Sequence, residues 1–127
     1  MGTICTLFEG EYHFGLAALA NSAFRQGWRG VLHAGYRGKL PSWAGPDNPA
    51  QAGHRFEFAP GAAIQFIPLG TSAHLTNYKP DFMLDLWSTV ATDADSLFYF
   101  DPDIVLHGPW RFFEEWASHG VALCEDV

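Results

Sequence analysis

The chain has 127 residues, 48% of them hydrophobic and 17% charged, a composition that folds as one globular domain and excludes a mainly disordered chain. Seven basic residues against fourteen acidic ones give a formal charge of −7, which repels a polyanionic backbone and excludes the basic stripe of a nucleic-acid binder. No apolar run approaches the roughly 18 residues of a membrane span and no basic-then-apolar signal peptide opens the chain, so the expected location is cytoplasmic.

Ile4 to Phe8 reads as a first strand, closed by the loop Glu9-Gly10-Glu11. Met1 to Thr6 also fits the loose pattern for N-myristoylation, but the strand needs the same residues. From Tyr12 to Gln26, Leu16, Leu19, Ala20 and Ala23 recur at helical spacing, and Gly27 is a natural stop. Gly30 to Tyr36 is a second strand, so the opening segment is a βαβ unit with a parallel pair and a right-handed crossover. Arg37 to Gly61 shows no sustained period and is expected as one long loop. Ala63 to Ile67 is a third strand. Pro80 suits the first turn of a helix whose buried stripe is Met83, Leu86, Trp87 and Val90. Leu97 to Phe100 is a fourth strand. Gly108-Pro109 opens a last helix with Trp110, Phe113, Trp116 and Ala117 facing inward, and Val121 to Cys124 starts a further strand. This order predicts an α/β three-layer sandwich with a mainly parallel sheet. Cys5 and Cys124 sit in apolar, strand-like segments without a Cys-x-x-Cys pattern and read as buried free thiols.

The chemistry concentrates in Leu97-Phe98-Tyr99-Phe100-Asp101-Pro102-Asp103. Alternation along an extended segment puts Asp101 and Asp103 on the same side, and Pro102 between them ends regular pairing. Two adjacent carboxylates suit a hard divalent ion such as Mg²⁺ or Mn²⁺, which keeps waters and accepts phosphate oxygens. An isolated Asp-x-Asp is more often a solvated turn; the apolar flanks favour a site, because they imply a buried strand delivering both acids to its carboxyl end. Lys79, before Pro80 at the expected helix start, is a candidate phosphate contact. The six histidines lack zinc-helix or finger spacing and read as surface or loop residues. Glu114 and Glu115 read as a solvated pair, Asn21 and Ser22 as packing residues, and Arg37 and Trp43 as residues of the long loop whose spacing assigns them no role. Neither a Gly-x-x-x-x-Gly-Lys loop nor a Gly-x-Gly-x-x-Gly fingerprint occurs.

On the residues Ile4-Cys5-Thr6-Leu7-Phe8, Tyr12-x-x-Gly15, Leu19-Ala20-Asn21-Ser22 and Phe98-Tyr99-Phe100-Asp101-Pro102-Asp103, the chain resembles the nucleotide-binding half of GT-A-fold glycosyltransferases, most of all those related to family 8. The resemblance runs over residues 1–127 and implies a Rossmann-like nucleotide-diphospho-sugar transferase fold. It implies a nucleotide-sugar donor, taken here as a UDP-sugar, and a divalent metal on its diphosphate held by Asp101 and Asp103. It assigns base or ribose contact to Thr6, Leu7, Phe8 and Tyr12, and a sugar or ribose hydroxyl to Asp101 as well. It leaves the acceptor open and implies that the chain stops before the acceptor half. Two alternatives stand beside it. One is a catalytically incomplete binding domain of the same fold. The other is a nucleotidyltransferase, which also pairs acids around a metal but uses a glycine-rich basic loop where this chain has acidic Glu9-Gly10-Glu11.

Overall fold

The computed structural model describes residues 1–45 and 53–123. β1 (Thr3–Glu9) is buried on both faces along Ile4 to Phe8, the composition of a central strand in a parallel sheet. One 3₁₀ turn leads into α1 (His13–Arg25), whose Leu16, Leu19, Ala20 and Ala23 are buried as their spacing predicts. A Schellman motif ends it: Gly27 takes φ +98°, the Trp28 amide donates to the Ala23 carbonyl at 3.0 Å, and the Gly27 amide to the Phe24 carbonyl at 3.1 Å. β2 (Gly30–Arg37) returns parallel to β1, with Ile4 opposite Leu32.

The stretch expected as a loop from Arg37 to Gly61 contains a strand. β3 (His54–Ala59) pairs antiparallel with β4 (Ala62–Pro68) through a turn at Pro60-Gly61, where Gly61 holds φ +75°. Phe56 and Phe58 alternating with Arg55 and Glu57, ahead of a Pro-Gly, are the hairpin signal that the glycines and prolines earlier in the stretch obscured.

α2 (Leu75–Thr89) begins five residues before Pro80, so the proline lies inside the helix rather than in its first turn. His74 sets the start, its Nδ1 accepting from the Thr76 amide at 3.3 Å. Phe82 and Leu86 form the buried face, while Trp87 and Val90, expected there, are 43% and 59% exposed. Gly35 explains this rotation. A Cβ at Gly35 would stand 3.0 Å from the Phe82 ring, so its missing side chain is the recess that admits Phe82.

β5 (Leu97–Tyr99) pairs parallel with β1 and stops one residue short of the expected end. α3 (Trp110–Ala117) buries Trp110 but leaves Trp116 exposed, contrary to the inward stripe expected. Glu114 is a tie rather than a solvated acid: its Oε1 accepts from the Gly2 amide and from Trp110 Nε1, both at 2.7 Å. Residues 121–123 form no strand, Val121 and Leu123 are exposed, and Cys124 lies outside the described residues. Cys5 is buried, and burial pushes its thiol up to about 12.

The described residues form an α/β fold with a five-stranded, mostly parallel sheet of order β3-β4-β2-β1-β5 and three α-helices. α1 and α3 pack on the face carrying Ile4, Phe8, Leu32 and Phe66; α2 packs on the face carrying Cys5 and Leu7. Strand order reverses at β1. The chain steps outward from β1 to β2 and β4, then returns through α2 to lay β5 on the other side. Right-handed crossovers running in opposite directions need helices on opposite faces, which is how α1 and α2 lie. Among the described residues, no helix is long and apolar enough to cross a membrane.

Candidate functional site

In an open α/β sheet, ligands bind outside the carboxyl ends of the strands where the order reverses. Here that position is the gap beyond β1 and β5, and it holds a cleft of about 280 Å³. Leu7, Phe8, Tyr12, Lys79, Asp101 and Asp103 all line it, so the fold gathers residues from β1, the turn before α1, α2 and the segment after β5. Thr6, the remaining candidate, does not line the cleft and is fully buried in β1. Leu7 and Phe8 are each 2% exposed, so what they offer a ligand is backbone. Tyr12 is exposed, standing at the cleft edge as the last residue of the 3₁₀ turn and the cap of α1.

The two aspartates sit together for a reason other than strand alternation. β5 has ended by Phe100, and Asp101 to Ile104 form a β-turn closed by the Ile104 amide donating to the Asp101 carbonyl at 3.1 Å. Asp at the first position and Pro at the second are what such a turn favours. Pro102 is buried against α1, where Gly15 makes the approach possible: a Cβ there would overlap the Pro102 carbonyl oxygen. The turn therefore rests on the helix that Tyr12 caps.

Lys79 reaches into the cleft from the second turn of α2. Its Nζ lies 2.9 Å from Asp101 Oδ1 and 4.9 Å from the centre of the Tyr99 ring. Burial, reinforced by the Asp101 carboxylate, pushes the Tyr99 phenol well above its ordinary value, so it stays a neutral hydroxyl at physiological pH. Arg37 does not line the cleft but braces two segments that do. Its Nε and Nη2 fork onto the Glu9 carboxylate at 3.2 and 3.3 Å, while Nη1 donates to the Ala73 carbonyl at 2.6 Å and the Thr71 carbonyl at 3.3 Å. One guanidinium thus ties the end of β2 to the end of β1 and to the loop that delivers His74 and α2.

Sequence reasoning missed Tyr99, His74 and Arg37 as parts of this site. Tyr99 had a signal, the hydroxyl two residues before Asp101 on the same alternating face. Arg37 had none, because its partners lie on other segments; His74 bonds the Thr76 amide two residues on, but histidine is not among the residue types that ordinarily signal a helix start. Trp43 belongs to the core: it packs on Phe56 and Phe66, and its Nε1 donates to His13 Nδ1 at 3.1 Å. His33 and His54 are buried, not surface residues, since both occupy sheet positions. Ser22 packs as expected, its hydroxyl accepting from the Leu106 amide at 2.9 Å.

Asp101 and Asp103 suit a divalent ion that draws the rest of its shell from water and phosphate: the Asp101 carboxylate is half exposed and already holds one cation. Among the described residues no group of three or more His, Cys, Asp or Glu side chains could hold a metal. A larger hollow of about 820 Å³ lies on the sheet face beside α2, over His33 and Gln65, with Arg55, Asp85 and Asp93 in its lining; none of Tyr12, Lys79, Asp101 and Asp103 lines it.

Comparison of the chain with protein-family models, with curated proteins and with solved structures finds no match to any of them.

Proposed function

We propose that the chain is the donor-binding domain of a GT-A-like glycosyltransferase, taking a nucleotide diphosphate sugar, with a UDP-sugar the first choice, together with Mn²⁺ or Mg²⁺. The observation that carries this reading is the convergence of Asp101, Asp103 and Lys79 on the backbone end of β1 at the reversal of strand order. Asp103 and Asp101 hold the ion, and Asp101 has a second oxygen to accept from a sugar or ribose hydroxyl. The backbone of Leu7 and Phe8 and the Tyr12 ring take the base and ribose, and Lys79 meets the diphosphate. The bound ion supplies charge neutralisation as the sugar–phosphate bond breaks and the diphosphate leaves. The Tyr99 ring, with Lys79 Nζ 4.9 Å from its centre, gives the ammonium a neutral face rather than a competing anion.

The cleft favours one neighbouring reading. At about 280 Å³ it falls just below the usual range of ligand sites, about 300 to 1,000 Å³, so it leaves no room for an acceptor beside a donor. A binding domain without efficient transfer fits that size, since positioning the second reactant supplies much of a transferase's rate. The nucleotidyltransferase reading is weaker, because Glu9 and Glu11 stand where a triphosphate would need cations.

Calorimetric titration with UDP in Mn²⁺, and again in chelator, tests the proposal. The expected result is binding that needs the metal and is lost in Asp103→Ala. Binding of equal strength in chelator, or none under any condition, refutes a metal-held donor. Tighter binding of nucleoside triphosphates than of UDP-sugars turns the reading to nucleotidyl transfer.

A further inference from the structure

The cation beside Asp101 has a consequence for the order in which ligands enter. Lys79 Nζ occupies the Asp101 Oδ1 approach at 2.9 Å, and a divalent ion bound to that carboxylate would stand roughly 2.1 Å from an oxygen. Ammonium and metal would then face each other across one carboxylate as like charges, with only Asp103 to add negative charge from the same turn. Lys79 is not locked where it stands. Its side chain is 30% exposed, its stem is flexible, and it rides on a helix whose first turn lines the same cleft.

We infer that Lys79 is the resident counter-ion of the cleft, paired with Asp101 until a divalent cation arrives, and that it makes metal and diphosphate binding depend on each other. A metal alone must evict the ammonium from Asp101 and leave it beside a new positive charge. A diphosphate gives the displaced ammonium an anion of its own, so each ligand removes the penalty on the other. By linkage the coupling is reciprocal: the factor by which diphosphate tightens metal binding is the factor by which metal tightens diphosphate binding. The inference rests on the metal-held donor reading above and adds to it the residue that couples the two ligands.

The experiment measures Mn²⁺ affinity by calorimetry and by the electron paramagnetic resonance of the free ion, with and without saturating UDP, in the unaltered chain, Lys79→Met and Lys79→Gln. Thermal unfolding of each variant confirms that it folds, and the two substitutions check each other. In the unaltered chain UDP should tighten Mn²⁺ binding at least about tenfold, a coupling of typical size. In both variants Mn²⁺ alone should bind about fivefold tighter than in the unaltered chain, the upper range of an exposed ion pair, and the gain from UDP should shrink about fivefold, leaving the part that direct contact between ion and diphosphate supplies. If the variants bind Mn²⁺ alone no better and keep the full gain from UDP, while Asp103→Ala still abolishes binding, the counter-ion role is wrong and the donor site stands. If no chain binds Mn²⁺ or UDP, both fall.

Discussion

His33 sits in β2 on the sheet face that α2 only partly covers, 8% exposed, with no hydrogen-bond partner for its Nδ1 among the described residues. Burial, helped by the Arg55 guanidinium, lowers its pKa from 6.5 to about 4. A base whose folded pKa is depressed stays neutral in the fold while the unfolded chain takes up a proton, so stability falls as pH drops from about 6.5 towards 4. The loss should reach roughly 2–3 kcal/mol by about pH 4.5. Urea unfolding at pH 7 and pH 4.5 should show that loss in the unaltered chain and a smaller one in His33→Gln. An equal loss in both would assign the acid sensitivity to other groups. At this scale the sequence reveals chemistry better than environment. The Asp101-Pro102-Asp103 turn is local and can be read directly, whereas the burial of His33 and the tie from Glu114 to the Gly2 amide depend on distant segments.

Elements were legible where their signal was periodic and were displaced where it was punctuated. α1 was placed within a residue at each end because four small or aliphatic residues share one face and Gly27 stops the run. In α2 the proline points to a start at Pro80, whereas His74 fills that role. β3 carries a local alternation before Pro60-Gly61, which the glycines and prolines upstream of it mask. The most exacting contact between elements is Gly15 of α1 against the Pro102 carbonyl, where backbone meets backbone. Gly15→Ala is expected to destabilise the fold by about 1–3 kcal/mol, as overpacking does, and to weaken Mn²⁺-dependent UDP binding by displacing the aspartate turn. Denaturant unfolding with titration of the folded variant checks both parts. A stable variant with unaltered binding would show that helix and turn separate at no cost.

Across the whole molecule, β1, β2 and β4 are central strands while β3 and β5 form the edges, and β5 is only three residues long. Protection from amide hydrogen exchange should therefore be greatest in β1, β2 and β4 and least in β5 and the Asp101 turn. Slow exchange at Tyr99 equal to that at Leu32 would contradict this gradient. The acceptable ligand class is likewise a property of the whole: in a chain of net charge −7, Lys79 is the lysine or arginine that lines the cleft among the described residues, and it is already paired with Asp101. What the sequence determined by itself was the α/β class, the strand and helix faces from Ile4 to Tyr36, and the presence of Asp101 and Asp103 in one short segment, because each is written in residues within a few positions of one another. What only the tertiary structure decided was that β5 lies beside β1, that Lys79 meets Asp101, that Arg37 ties three segments, and that α2 turns Phe82 inward. Each of these joins residues more than twenty positions apart, and such pairings are fixed by how helices pack on a sheet rather than by any local preference.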